Sequence, residues 1–391
     1  MKVCVYAITK NESKFVDRWY ESMREADSIV VLDTGSIDDT VEKLRAHGVK
    51  VEVKRYCNWD SLDEYEWIKS RGGEPWRFDV ARNDSMKLIP EDTSICVCTD
   101  LDEVLLPGWR VKLENAWTAA LARGIKPTTA TYEYVWSFNR DGTDGSKFTY
   151  EKVHAPGVCR WEHPVHEILE YDCRKVSIPV DGMRLEHRAD PCKSRGQYLK
   201  LLELSVKECP DDDRNVHYLG REYMFHERWE DAIRTLQRHL SMPSATWRAE
   251  RASSMRFIAK CYGAMGDEIR QELYLWQAMS EAPEQREAAL ELAELVYDQI
   301  CNERDVAKRN YQKLVRVCEI LLSRKDRVMS YLTKAEAWGS KPYDLYSIGL
   351  WYTGHEARAI DAIRDALALS PDNERLKNNL RVMSKNLKFA H

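Results

Sequence analysis

The sequence predicts two domains, an N-terminal α/β domain built on a parallel sheet and a C-terminal domain made wholly of helices. Three observations predict this. With 391 residues, the chain exceeds the size at which a single hydrophobic core keeps growing. Its first third alternates short β-rich runs with amphipathic stretches, the pattern of strands joined by crossover helices. Beyond Pro191 strand signals vanish and helical periodicity continues to the end. The expected division is 1–190, a helical linker over 191–212, and 213–391.

In order, the β-rich runs are Val3–Ile8, Ile29–Leu32, Val49–Val53, Ser94–Thr99 and Thr128–Trp136. Helical patterns fall between them at Ser13–Arg24, Asp38–Ala46, Phe78–Leu88 and Trp109–Ala122, where apolar residues recur at three- and four-residue spacing. From Arg140 to Arg188 the chemistry is that of hairpins. Asp141-Gly142 and Asp144-Gly145 are turn signals, and KFTYEKV and HEILEY alternate, so a β-rich lobe against the sheet is expected.

Composition excludes several classes. A net charge of −5 gives no sign of a wholly basic nucleic-acid binder. No window approaches the ~18 uninterrupted apolar residues of a spanning helix, and the apolar start before Lys10 is too short for a signal segment. No integral membrane segment is therefore expected. The 11 cysteines form no CxxC pair, which argues against a disulfide framework or zinc ribbon and fits a reducing, cytoplasmic setting. Cys96 and Cys98, two apart on one strand, share a face and read as buried thiols.

The helical half carries a countable repeat. Leu219-Gly220, Tyr223, Ala232 and Leu236 match the small and aromatic positions of the ~34-residue tetratricopeptide pattern. Weaker copies follow at Ile258-Ala259, Tyr262, Leu275, Ala278 and Pro283, then Leu292-Ala293 and Val296, then Leu350, Ala359, Ile363, Ala366 and Pro371. These are packing positions, so the repeats predict a scaffold whose surface suits a protein partner or self-association.

The residues with chemistry cluster where strands end. Asp100-Leu101-Asp102-Glu103 follows the run SICVCT, and ligand crevices open at the carboxyl ends of parallel strands. Two carboxylates one residue apart suit Mg²⁺ or Mn²⁺ with open positions for diphosphate oxygens. The first strand runs into Thr9-Lys10-Asn11-Glu12 and the second into Asp33-Thr34-Gly35-Ser36, while Arg82 and Asn83 lie in the helix before the fourth. Ser36 and Asp39 read chiefly as caps for the next helix. Arg82 is a cation suited to a diphosphate.

Taken together, KNES, VLDTGSIDDT, FDVARND and TDLDE resemble glycosyltransferase family 2 enzymes of the GT-A fold, a Rossmann-like nucleotide-sugar domain, here joined to tetratricopeptide repeats. The resemblance implies that Thr9, Lys10, Asn11, Glu12 and Asp33 receive the base and ribose of a nucleoside diphosphate sugar, of the UDP-linked kind. It implies that Asp100 and Asp102, with Leu101 between them, join the metal to the diphosphate, and that Arg82 and Asn83 lie near the donor. It also implies that His187 completes the metal site, chemistry an imidazole can supply.

An inverting transfer needs a carboxylate that takes the acceptor's proton. Glu167 of the WEHPVHE segment is the first candidate and Glu103 and Glu162 its rivals. The aromatic, glycine-hinged stretch Tyr56–Trp76 is either a loop over the site or a buried cluster. The acceptor stays open among a peptide or protein, a glycan and modified nucleic acid. Two other classes compete with the transferase: a non-catalytic repeat scaffold with a degenerate α/β domain, and a nucleotidyltransferase. The absence of a Gly-rich basic loop after the first strand argues against the second.

Overall fold

The computed structural model describes residues 1–139, 142–189, 196–328 and 330–389, with side chains to 385. The Asp141-Gly142 turn falls partly outside them. The chain divides into two compact units, Met1–Cys209 and Pro210–His391.

In the first unit the elements are β1 Val3–Thr9, α1 Ser13–Met23, β2 Ser28–Asp33, α2 Thr40–Ala46, β3 Lys50–Val53, α3 Leu62–Ser70, α4 Phe78–Met86, β4 Ile95–Cys98, β5 Glu103–Leu105, α5 Trp109–Ala122, β6 Thr129–Val135, β7 Lys147–His154, β8 Cys159–Glu162, β9 Ile168–Tyr171, β10 Ser177–His187 and α6 Tyr198–Glu208. Eight strands form one sheet in the order β3-β2-β1-β4-β7-β6-β10-β5, and β8 pairs with β9 in a separate ribbon. The β3-β2-β1-β4 portion is parallel. β7 then runs antiparallel to both β4 and β6.

The expected wholly parallel sheet with a β-rich lobe beside it is thus corrected. β7 and β10 are members of the main sheet, and among the described residues only β8–β9 stand apart. Alternation revealed strands but not their partners.

Both faces of the sheet are covered, which is why β1 is buried throughout. Val3, Val5 and Ala7 face a core shared with Trp19 and Met23 of α1 and Trp109, Leu113 and Trp117 of α5. Cys4, Tyr6 and Ile8 face the other, with Ala81 of α4 and Trp161 of β8. The buried positions of α5 recur at Trp109, Leu113, Trp117 and Ala120, one stripe of a helix. Burial pushes the Cys98 thiol up to about 11, in keeping with an inert structural cysteine.

The stretch Tyr56–Trp76 is not an open loop. It contains α3, and it buries Trp59 and Tyr65 edge to face, ring centroids 5.1 Å apart. Trp59 Nε1 donates to the Trp76 carbonyl at 2.9 Å. Within the expected linker, α6 packs onto this same cluster: Lys200 bonds the Trp59 carbonyl and Asp60, and Tyr198 stacks on Phe78.

The second unit consists of helices with two short 3₁₀ turns, Val306–Lys308 and Ala335–Trp338, among its described residues. Its α-helices are α7 Asp213–Phe225, α8 Trp229–Ser241, α9 Arg248–Ala264, α10 Glu268–Glu281, α11 Glu287–Asn302, α12 Tyr311–Ser323, α13 Lys341–Tyr352, α14 Glu356–Leu369 and α15 Glu374–Phe389. The repeat positions fill its core. Leu219, Ala232, Leu236, Ile258, Ala259, Leu275, Ala278, Leu292, Ala293, Val296, Leu350, Ala359, Ile363 and Ala366 are all buried. No described helix is long and apolar enough to cross a membrane.

Gly220 explains one repeat position physically. A Cβ there would lie 2.5 Å from Leu236 Cγ and 3.2 Å from the Leu236 backbone nitrogen, so α7 and α8 meet where only glycine fits. Overpacking costs about 1–3 kcal/mol, against at most about 1 kcal/mol of helix propensity gained. Gly220→Ala is therefore expected to lower the thermal midpoint of the helical unit. Gly263→Ala, which meets only the flexible Gln271 amide, should leave it unchanged or raise it. Differential scanning calorimetry of the two variants checks the opposite signs.

Candidate active site

The parallel strands bring their carboxyl ends to one edge, and the order β2-β1-β4 makes the β1/β4 junction the point where strand order reverses. Ligand crevices form at such points. The polar loops after β1, β2 and β4 lie there together.

The first two loops are bonded to each other. Thr34 donates from its amide and hydroxyl to the Thr9 carbonyl at 2.9 and 3.0 Å, and Asn11 exchanges bonds with Ser36 Oγ and the Ile37 amide at 2.8 Å each. Asn11 adopts the left-handed region, φ 56°, to do so. Thr9 Oγ1 donates to Glu12, whose amide donates to Thr40 Oγ1 at 2.9 Å.

Asp33, expected to meet ribose, is fully buried. Its carboxylate accepts from the Gly35 and Ser36 amides at 3.0 Å and from the Ser36 hydroxyl. It forms the turn that presents the loop, and Lys10 of the neighbouring loop is exposed. The cap expected of Asp39 is also displaced. Asp39 makes no side-chain cap bond, and Asp38 accepts from the Thr40 amide at 3.1 Å.

The loop after β4 holds the densest charge. Arg82 of α4 is 4% exposed. Its guanidinium donates to Asp100 at 2.8 Å and to Glu167, approaches Cys98 Sγ at 3.3 Å, and lies over the Trp161 ring. Asp100 also accepts from Lys152 of β7 at 3.0 Å. Lys152 stands 3.7 Å from Glu103, which accepts from the Tyr134 hydroxyl at 2.7 Å and the Asp100 amide at 2.8 Å.

Burial alone would discharge these groups, but the pairing overrides it. Arg82 and Lys152 hold Asp100 well below the usual carboxylate range and are themselves held charged by it. Glu103 goes the other way: burial raises it, aided by nearby Asp100 and opposed by Lys152.

Asp102, 6% exposed, turns to His187 at the end of β10, with Oδ2 3.6 Å from Nε2. His187 stacks on Trp136 and its Nδ1 stands 3.2 Å from the Trp136 carbonyl. Burial pulls its pKa down, but Asp102 more than offsets this and the net shift is upward. Asp102 and His187 are a carboxylate–imidazole pair of metal-ligand type, spaced wider than the roughly 3 Å between neighbouring ligands of an octahedral Mg²⁺ or Mn²⁺, so holding either ion requires the two to close. Asp100 accepts from Arg82 through one oxygen and from Lys152 through the other, so a cation bound there competes with both. Of the expected three-ligand set, Asp102 and His187 face each other, while Asp100 faces Arg82 and Lys152.

Two further expected residues are engaged within the protein itself. The Leu101 side chain is completely buried in the core and can offer a ligand only its backbone. Asn83 spends its amide on the β8 backbone, exchanging bonds of 2.8 Å with the Trp161 amide and carbonyl, and so ties α4 to β8. Among the candidate bases, Glu167 lies beside Arg82 and is reached through a turn in which His163 and His166 both adopt positive φ, 78° and 53°. Glu103 is sealed in, and Glu162 pairs with exposed Arg160.

Lys152 was not singled out in the sequence. A signal existed: Phe148, Tyr150, Lys152 and His154 share one face of β7, a lysine within an aromatic row.

Behind the cluster runs a buried relay. Trp161 Nε1 donates to Tyr6 Oη at 3.0 Å, Tyr6 Oη bonds His154 Nε2 at 2.8 Å, and His154 Nδ1 bonds the Ala155 carbonyl at 2.8 Å. A carbonyl can only accept, so Nδ1 carries the proton and Nε2 receives the tyrosine's. Burial lowers His154 to about 4. An unfolded histidine titrates near ~6.5, so its contribution to stability is complete above that pH and is lost as pH falls toward 4, on the order of 3 kcal/mol in all. His154→Gln should flatten this part of the acid-unfolding curve, measured as urea midpoints between pH 7 and 4.

No family model matches the chain, and no curated protein matches it. Among solved structures the helical half is similar to tetratricopeptide-repeat proteins. They include MamA (15% identity, 45% of this chain and 89% of that one, TM-score 0.34). PilF of Pseudomonas aeruginosa is another (13% identity, 46% and 70%, TM-score 0.35). A third is YrrB, described as a TPR protein with an unusual peptide-binding site (10% identity, 48% and 83%, TM-score 0.33). At scores of this size the architecture of each unit rests on its own elements.

Proposed function

We propose that the first unit is a cation-dependent, inverting glycosyltransferase using a nucleoside diphosphate sugar, and that the second is a tetratricopeptide-type scaffold. The observation that carries the proposal is the Asp102–His187 pair, with Asp102 buried and His187 half-buried, beside the Arg82–Asp100–Lys152 cluster at the reversal point of the sheet's parallel portion. Asp102 and His187 would hold Mn²⁺ or Mg²⁺, which when bound offsets the charge of a departing diphosphate. Lys10 and the β1 loop receive the nucleotide. Glu167, oriented by Arg82, takes the proton of the acceptor hydroxyl as its oxygen bonds the anomeric carbon and the bond to the diphosphate breaks. The acceptor is a peptide or protein, a glycan or modified nucleic acid.

A second reading, a non-catalytic α/β domain supporting the helical scaffold, is favoured by how completely Asp33, Asn83, Arg82 and Asp100 satisfy one another and the backbone. Incubation with a panel of nucleotide sugars and Mn²⁺ separates the two. Release of free nucleoside diphosphate from one donor, abolished by EDTA, supports the transferase. No release and no thermal stabilisation by any donor supports the scaffold.

A further inference from the structure

We propose that the helical unit contains a structural transition-metal site, with the ligand chemistry of Zn²⁺, formed by Asp213, His239 and Glu250. Each comes from a different helix: Asp213 opens α7, His239 lies near the end of α8 and Glu250 near the start of α9. One ligand atom of each falls within 4.8 Å of the others. His239 is fully buried and Glu250 4% exposed, with Nε2 and Oε1 3.5 Å apart. Ligands at about 2.1 Å from a tetrahedral ion are separated by about 3.4 Å.

The surrounding bonds orient the donors. Ser254 Oγ lies 2.9 Å from His239 Nδ1 and 2.7 Å from His217 Nδ1. A hydroxyl has one proton: given to His217, it leaves Ser254 accepting from His239 Nδ1–H with the Nε2 lone pair toward the carboxylates, the arrangement a metal requires; given to His239, it leaves an Nε2–H facing Glu250 Oε1 at 3.5 Å. The first is the tautomer and outer bond of a metal-bound imidazole. Glu250 is fixed likewise, its other oxygen accepting from the Tyr331 hydroxyl at 2.6 Å. His239 Nε2 has no hydrogen-bond partner among the described residues, although it is buried and polar. A cation reconciles an imidazole lone pair with two carboxylates, and three protein ligands leave a tetrahedral ion one position for water.

The site lies entirely within the second unit and is independent of the proposed transferase. The test uses the full chain carrying Asp102→Asn and His187→Ala, so that the first unit contributes no ion at that pair. After EDTA treatment and dialysis, Co²⁺ and Zn²⁺ are titrated by equilibrium dialysis, visible absorption and thermal unfolding. The expected result is one equivalent, with tetrahedral Co²⁺ d–d bands lacking thiolate charge transfer. The midpoint of the helical unit should rise on the order of 5–10 °C at about 100 times Kd. Asp213→Asn, which removes a ligand from a half-buried helix start, should abolish all three with unchanged far-ultraviolet circular dichroism, and Glu250→Gln should do the same. Retention of the equivalent and the shift in Asp213→Asn overturns the proposal. So does absence of binding in the parent, which makes His239 and Glu250 a simple imidazolium–carboxylate pair.

Discussion

Arg82→Met is expected to lower the unfolding free energy of the first unit by about 2–4 kcal/mol, because it removes the buried cation that two half-buried carboxylates share. All three guanidinium nitrogens are engaged, by Glu167, Cys98 and Asp100. Lys152 still meets Asp100, but Glu167 loses its ion pair with Arg82. Arg82→Lys restores the charge without the planar fork and should recover only part of the loss. Urea unfolding followed by tryptophan fluorescence reads this out. Equal midpoints for wild type and Arg82→Met would show that the cluster contributes no net stability.

The second large effect is chemical. Asp102→Asn should reduce cation-dependent nucleoside diphosphate release about 10²–10³-fold, the several kcal/mol by which a bound cation stabilises developing charge. Its effect on folding should be small, since it neutralises one partner of a pair at 3.6 Å and leaves the Arg82–Asp100–Lys152 contacts in place. Glu167→Gln should differ in kind, slowing transfer to an acceptor while donor binding persists. Initial rates with EDTA-treated and Mn²⁺-reconstituted protein separate these cases. Undiminished, EDTA-sensitive release by Asp102→Asn would place the cation elsewhere.

How much of this was legible in the sequence depended on the range of the interaction. The stripe Trp109, Leu113, Trp117 is local, and α5 begins and ends where its periodicity predicts. Thr9, Asp33 and Asp100 were placed at strand ends because parallel sheets put loops there. What Asp33 and Asn83 bond to was not legible, since the Ser36 hydroxyl competes with any ribose and the Trp161 backbone with any donor. β5, three residues long and formed by Glu103–Leu105, is too short for any period to reveal. The burial of Lys152 is decided by Asp100, 52 residues away, a pairing that no alternation pattern encodes.

The place of β7 has a consequence for the chain as it is synthesised. β4 and β6 have no ladder with each other; both wait for β7, which reaches β4 through Cys96–His154 and Val97–Val153. A nascent chain that has emerged only through β6 therefore carries β4 as a bare hydrophobic edge, ICVC, a template for pairing with another copy. Truncation after Val135 should yield an aggregating fragment, whereas extension through His154 supplies the strand that closes that edge.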